Sequence, residues 1–222
     1  MGPSPLGLVS TPIFFDGCPS ILFERLMSFN RLLPTSGKEV RTIIGQRVSL
    51  RPLERGDLAT SIKWLNDAEI MNLLGRRHQL SMAEEERWYE DYLKSGKSRI
   101  FAIEDGGSHI GNIGLHRIDN ENRSASLGIV IGEKDRWGKG YGSDALVTVL
   151  RYAFRELGLH KVSLRVFQGN DRAIRSYKRC GFKQEGVMRE QVFKDGKFHN
   201  LFAMSILDRE FNELHGKESK GI

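Results

Sequence analysis

The segment Ala125–Leu150, ASLGIVIGEKDRWGKGYGSDALVTVL, changes character along its length. Ala125–Ile131 carries β-branched residues at strand spacing. Gly132–Arg136 is a charged turn, and Trp137–Gly142 (WGKGYG) is rich in glycine. From about Ser143 the apolar residues recur at helical spacing. A strand, a glycine-rich loop and a helix start make an anion site. The first helical amides have no intrahelical acceptor, and the helix dipole puts partial positive charge there. Glycines let the backbone approach a phosphate without a Cβ in the way. The segment is therefore read as the holder of a pyrophosphate.

Upstream, Arg47–Arg51 alternates as a strand that Pro52 ends, and Glu54–Leu65 reads as a helix followed by a polar break at Asn66–Asp67. Ser81 and Glu84 form a capping box for a helix running to about Lys94, whose first-turn acids Glu84–Glu86 suit the dipole. Arg99–Glu104, His109–His116 and Ala125–Ile131 are strands at hairpin spacing across Asp-Gly and Asn-rich turns. Gly111 and Gly114 are atypical of a strand and predict a bulge or a close approach by another group. Downstream, Ser143–Leu157 is an amphipathic helix stopped by Gly158, and Lys161–Phe167 is a strand. Asn170 to about Cys180 is a helix ended by Gly181, and Lys183–Val192 with Phe198–Leu207 forms a last hairpin. The order predicts an α/β sandwich with a mixed sheet.

Two fragments resemble the GNAT superfamily of N-acetyltransferases. Trp137–Gly142, between strand and helix, resembles that family's [QR]-x-x-G-x-[GA] loop. Asn170–Phe182 (NDRAIRSYKRCGF) resembles its N-x-x-A-x-x-x-Y-x-x-x-G-F signature. The likeness covers about residues 46–208. Leu50–Leu53 and the hairpin Phe193–Phe198 look like the branch holding ribosomal-protein N-terminal acetyltransferases and spermidine acetyltransferases. The resemblance implies a mixed, mostly antiparallel sheet flanked by helices and splayed between the fourth and fifth strands. It implies acetyl-CoA as cosubstrate and an amine acceptor. The pantetheine arm would pair with the backbone of Ile129, Val130 and Ile131, and the loop Trp137, Gly138, Lys139, Gly140, Tyr141 and Gly142 would take the pyrophosphate. Trp137 stands where the family has Gln or Arg, so a side-chain contact from that position is lost. Lys139 and Arg136 either add charge at the phosphates or are solvated surface. Asn170 is a coenzyme-arm contact, a helix N-cap or both. Tyr177 is the general acid for the leaving thiolate, or else a core aromatic. Dimerisation through the final strands is implied by the resemblance alone.

The base is the gap. Relatives carry a Glu where this chain has Ser126 or Arg165. Asp119, Glu121, His116 and Glu190 are the remaining candidates, or ordered water. A protein α-amine, with a pKa of about 8, needs no strong base. That consideration, and the absence of an evident carboxylate cluster for a polycation, favours a protein N-terminus over a polyamine or other small amine. A non-catalytic acyl-CoA-binding regulatory module is the rival from another class. Glu190, His199, Asn200 and Leu73–Leu80 are expected to line the acceptor pocket.

The bulk properties bound these readings. The chain has 222 residues, 39% hydrophobic and 28% charged, with a net charge of +6. That charge lies in 41–222, and its basic residues alternate with acids, so nucleic acid is not an expected partner. No apolar run reaches membrane-spanning length. Cys18 and Cys180 match no metal or redox spacing and read as free thiols of a cytoplasmic protein, and the scattered histidines predict no metal site. Residues 1–40 hold Pro3, Pro5, Pro12, Pro19 and Pro34 and little periodicity. They read as a poorly structured extension with a short helix at Ile21–Leu33, Met27 being a plausible alternative start. Residues 41–222 are the acetyltransferase-like domain.

Overall fold

The computed structural model describes residues 41–216. The expectations placed on 1–40, including Cys18, lie outside them. The order is β1 (Ile43–Ile44), β2 (Ser49–Pro52), α1 (Leu58–Leu65), α2 (Ala68–Leu74), α3 (Met82–Ser95), β3 (Arg99–Asp105), β4 (Ser108–Asp119), β5 (Ser124–Ile131), α4 (Tyr141–Arg155), β6 (Lys161–Phe167), α5 (Asp171–Arg179), β7 (Lys183–Lys194), β8 (Lys197–Leu207) and α6 (Asp208–His215). The eight strands form one sheet ordered β1-β2-β3-β4-β5-β6-β8-β7. Among the described residues only β5 and β6 run parallel. The mixed, mostly antiparallel sheet is as expected. The short β1 makes the parallel pair the fifth and sixth strands rather than the fourth and fifth.

Three elements were not expected. β1 is only two residues long. α2 follows the supposed polar break, where Asp67 caps it by accepting from the amides of Glu69 and Ile70, and Gly75 closes it at φ 68°. α6 follows the last strand and anchors through Phe211, which is fully buried. The expected Glu54–Leu65 helix begins instead as a 3-10 turn at Arg55–Asp57. The capping box of α3 is present, with Ser81 accepting from Glu84 N and Glu84 accepting from Ser81 N.

Both faces of the sheet are covered. α4 buries Ala145, Leu146, Val149, Leu150 and Ala153 against Phe101, Ile103, Ile113, Leu115 and Leu127. Each larger aliphatic side chain there contributes about 1.5–3 kcal/mol. α1 and α3 cover the other face through Leu58 and Tyr89, against Ile100 and Ala102. β3 therefore alternates between two buried surfaces, which explains its unbroken apolar run, Ile100–Ile103. The two hairpins turn on Gly106–Gly107 (φ 57° and 82°) and Asp195–Gly196 (φ 49° and 76°). Positive φ at both central residues matches the twist of the strands they join.

The strand glycines are now accounted for. A Cβ on Gly111 would strike the carbonyl of Val130, and one on Gly114 would stand 2.9 Å from His116 Nε2. The close approaches come from the protein itself. Gly132 leaves room for the Trp64 indole, whose Nε1 donates to Glu133 Oε1 at 2.9 Å and fixes the exit of β5.

One buried pair makes stability depend on pH. Glu85 on α3 is 2% exposed, with Arg76 (8%) as its charged neighbour. Burial pushes the Glu85 carboxyl up to about 7, and Arg76 pulls back only part of that. The folded state thus holds this proton more tightly than the unfolded chain. Glu85 opposes folding increasingly as pH rises from about 4.5 to 7, and fully above that. Glu85→Gln is expected to raise stability by about 1–3 kcal/mol near pH 8 and by little near pH 4, read as melting temperatures at both. Equal shifts at the two pH values would contradict it.

Candidate active site

β5 and β6 share only three rungs, Ser124↔Lys161, Ala125↔Val162 and Ser126↔Ser163. β5 stays paired with β4 as far as Ile131, and β6 with β8 as far as Phe167. From Leu127 onward the two parallel strands therefore diverge. A peptide-like chain can pair with the exposed strand edge in such a gap. The carbonyl of Val130 is turned to β4, against Gly111, and Gly132 N–H also points that way, to Ile110 O at 2.9 Å. Backbone polar groups alternate between the edges of a strand. The edge facing the gap is therefore built from Ile129 and Ile131. Val130 instead directs its side chain to the face opposite α4. Of the three residues expected to pair with the pantetheine arm, Val130 therefore turns its backbone groups away from the gap.

The loop after β5 matches its expectation in conformation. Gly138 and Gly140 have φ of 74° and 91°, and a Cβ at either would meet nothing within 4 Å. Gly140 is the N-cap of α4, which starts at Tyr141, two residues earlier than its periodicity suggested. The first helical bond runs from Asp144 N–H to Gly140 O. The amides of Tyr141, Gly142 and Ser143 precede it, at the positive end of a long helix.

Asp144 was missed as a site residue. Its carboxylate accepts from the amides of Gln46 (3.1 Å), Arg47 (2.7 Å) and Val48 (3.0 Å). Arg47 Nη1 in turn donates to Lys139 O at 3.0 Å. The β1–β2 turn thereby braces the glycine loop from behind. Gly45 must be glycine for this, because a Cβ there would stand 2.6 Å from Asp144 Oδ2 and from Thr148 Oγ1. Arg136, one of two candidate phosphate cations, lies 3.4 Å from Asp105 Oδ2 with its guanidinium over Tyr141.

Trp137 keeps a side-chain role. Its indole Nε1–H donates to Ile131 O at 2.7 Å, and the Arg172 guanidinium lies 3.7 Å from its ring centroid. The first residue of the loop thus ties the end of β5 to the start of α5. Asn170 is the N-cap of α5, accepting from Ala173 N at 3.2 Å, and its Nδ2 donates to Leu73 O at 3.4 Å. Tyr177 is 8% exposed and packs edge-on to Phe182. Burial pushes its phenol well above its ordinary range, so it stays protonated. Cys180 nearby is a buried free thiol, pushed up to about 11 by burial.

The acceptor pocket was expected among Leu73–Leu80, Glu190, His199 and Asn200. The end of α2 and the β7–β8 hairpin meet there. Lys194 Nζ donates to Asn72 O at 3.2 Å and lies over Phe167, with His199 on the same ring. Arg77 covers Phe193. Arg77, from the segment Leu73–Leu80, and His199 thus both lie where α2 and the hairpin meet. Asn200 is used to hold a bulge, accepting from Glu190 N at 2.8 Å, and Glu190 is exposed at φ 52°. Asp119 accepts from the amides of Glu121 and Asn122 and from Asn122 Nδ2, which hold its carboxyl below the usual range and make it a turn-forming residue. Ser126 Oγ accepts from Arg117 Nη2 at 2.9 Å. Among the described residues no group of three or more His, Cys, Asp or Glu could hold a metal ion, and no helix is long and apolar enough to cross a membrane.

Comparison with known proteins agrees with this geometry. Residues 47–183 match the family described as an acetyltransferase (GNAT) domain. Spermidine N(1)-acetyltransferase of Vibrio cholerae is 32% identical over 169 residues, 76% of this chain and 97% of that one. The enzyme of the same name from Escherichia coli K12 is 30% identical over 168 residues, 76% of this chain and 90% of that one. The crystal structure of the V. cholerae spermidine N-acetyltransferase with CoA and spermine superposes with a TM-score of 0.70, at 32% identity over 74% of this chain and 98% of that chain. The chain belongs to the GNAT acetyltransferase family. It is an enzyme of the acetyl-CoA-dependent N-acetyltransferase class, which sets aside the non-catalytic reading.

Proposed function

We propose that the protein transfers the acetyl group of acetyl-CoA to a primary amine of a polyamine. The observation that carries the acceptor is the similarity to spermidine acetyltransferases over nearly their whole length. This reverses the preference for a protein N-terminus drawn from the low pKa of an α-amine and the absence of a carboxylate cluster. In the proposal, the amides of Gly138–Gly142 take the pyrophosphate, aided by Lys139. The pantetheine arm enters between β5 and β6 along Ile129–Ile131, past Asn170. The diverging strands after Ser126↔Ser163 support this placement. The neutral amine attacks the thioester carbonyl, the C–N bond forms, the C–S bond breaks, and the Tyr177 phenol donates a hydrogen bond to the leaving sulfur. Self-association through the final strands belongs to the same proposal. β7 is a sheet edge, and Val187 and Phe198 beside it are exposed.

A second reading, transfer to a protein α-amine, is favoured by one observation. The acceptor wall presents Arg77 and Lys194, and the nearby acids Asp67 and Glu69 are engaged by Lys134 at 2.8 and 3.0 Å. Coenzyme A thiol release measured side by side with spermidine and with a peptide bearing a free N-terminus separates the two. The expected result is a higher kcat/KM for spermidine. A peptide preferred over spermidine would overturn the first reading in favour of the second.

A further inference from the structure

Among the candidate bases, Asp119 and Glu190 have structural places. Asp119 shapes a turn, and Glu190 sits on an exposed bulge. His116 differs from them in position. It lies on β4 with its imidazole folded back over the strand, and the space it fills is made by glycines on two strands. Gly114 and Gly128 are paired across β4 and β5. A Cβ on Gly114 would stand 2.9 Å from His116 Nε2, and one on Gly128 would stand 3.5 Å from the same atom. Two facing glycines under one ring form a seat that positions Nε2 against the backbone of β5.

That seat lies where the strands open. Gly128 comes two residues after Ser126, the last residue of β5 paired with β6, and immediately before Ile129. The seat is also on the face of the sheet opposite α4. Ile113, Leu115 and Leu127 alternate onto the face that α4 buries, so Gly114, His116, Ser126 and Gly128 alternate onto the other. In the acetyl-transfer reading the amine approaches the gap across that second face. Around the last rung its other side chains are Ser126 and Ser163, which are hydroxyls, and Arg165 on β6, a permanent cation. Arg117 adds a second guanidinium through Ser126 Oγ. α3 brings Tyr89 and Tyr92 against Ile100 of the same face. None of these accepts a proton at neutral pH, whereas an imidazole does.

We propose that His116 is the general base, the group that takes the first proton from the acceptor ammonium. The assignment rests on the acetyl-transfer reading above. His116 Nε2 accepts one proton from the ammonium and becomes imidazolium, leaving the amine lone pair free. The lone pair forms the C–N bond as the thioester C–S bond breaks. The second proton lost from nitrogen ends on the coenzyme A sulfur, whose developing charge the Tyr177 hydroxyl holds meanwhile by a hydrogen bond. The imidazolium then releases its proton to solvent, which restores the enzyme. The net products are the N-acetylamine, coenzyme A thiol and one proton.

His116→Gln keeps a planar polar side chain and removes the basic nitrogen. Gly114→Ala keeps the imidazole and pushes it off its seat, so it tests the same role without altering His116. Both variants and the wild type are assayed for thiol release with a panel of amines and for acetyl-CoA affinity by calorimetry. The expected result is a kcat lower by about 10²–10⁴-fold in His116→Gln, and lowered in Gly114→Ala, with acetyl-CoA Kd within about threefold of wild type. Should His116→Gln fail to bind acetyl-CoA because it does not fold, Gly114→Ala is read by the same standard. Turnover of the folded variant within about threefold of wild type would overturn the assignment, as would a loss of acetyl-CoA affinity parallel to the loss of turnover. A wild type inert toward every amine would overturn the acetyl-transfer reading itself, and the assignment with it.

Discussion

Gly140→Asp is expected to weaken acetyl-CoA binding by more than about 10²-fold, measured by calorimetry, with the fold retained. Two effects add. Gly140 sits at φ 91°, where a residue with a Cβ costs roughly 1–2 kcal/mol. The new carboxylate would stand at the N-terminus of α4, against the position assigned to the pyrophosphate. Two like charges about 4 Å apart repel by about 4 kcal/mol at the effective dielectric of a protein surface. The strain alone corresponds to about tenfold, and the charge carries most of the expected loss. Gly140→Ala separates them. It carries the strain without the charge, so its loss is expected to stay near tenfold, since 1.4 kcal/mol is a factor of ten. Because a Cβ at Gly140 meets no atom within 4 Å, neither variant overpacks the core. Binding of acetyl-CoA by Gly140→Asp within about tenfold of wild type would remove the loop as the phosphate site.

Tyr177→Phe is expected to lower kcat by about 10²-fold or more and to leave acetyl-CoA Kd unchanged. The change deletes one oxygen and keeps the ring that packs on Phe182. Burial holds the phenol above its usual range, so it remains protonated across the working pH range. An ordinary thiol has a pKa of about 8.5, below that of the phenol. Complete proton transfer from Tyr177 to the thiolate is therefore uphill. The phenol acts mainly by a hydrogen bond that strengthens as charge develops on sulfur, an interaction made in the transition state and not in the ground state. Such an interaction shows in kcat and not in Kd. Unchanged turnover would return Tyr177 to the core as a packing residue.

The parts of the fold that announced themselves in the sequence were those with local signals. The glycine loop, the capping box at Ser81 and Glu84 and the two-residue hairpin turns are read from adjacent residues, and the structure has all of them. α2 was overlooked although Asp67 and Gly75 are ordinary cap residues, because seven residues are too few to establish a helical period. α6 has one deeply buried apolar anchor, Phe211, and so hardly declares a face. The site followed the same division. Gly138 and Gly140 were legible as residues that let the backbone approach a phosphate, and the structure adds their positive φ. Asp144 was passed over in the sequence. That it holds three amides almost a hundred residues upstream in the chain depends on tertiary contact alone. Which strand edge Val130 faces is likewise invisible until the pairing of β4 with β5 is known. Gly111 and Gly114 show the boundary well. Their sequence positions predicted a close approach, but not that Val130 O and the His116 ring are the groups that approach.

The most direct test of the account is a crystal structure of the wild-type protein with coenzyme A. The account expects the pyrophosphate oxygens within hydrogen-bonding distance of amides in Gly138–Gly142, with the pantetheine arm between β5 and β6 beside Ile129 and Ile131 and its sulfur near Tyr177. Coenzyme A bound elsewhere, or a gap between β5 and β6 closed by direct pairing beyond Ser126↔Ser163, would contradict it.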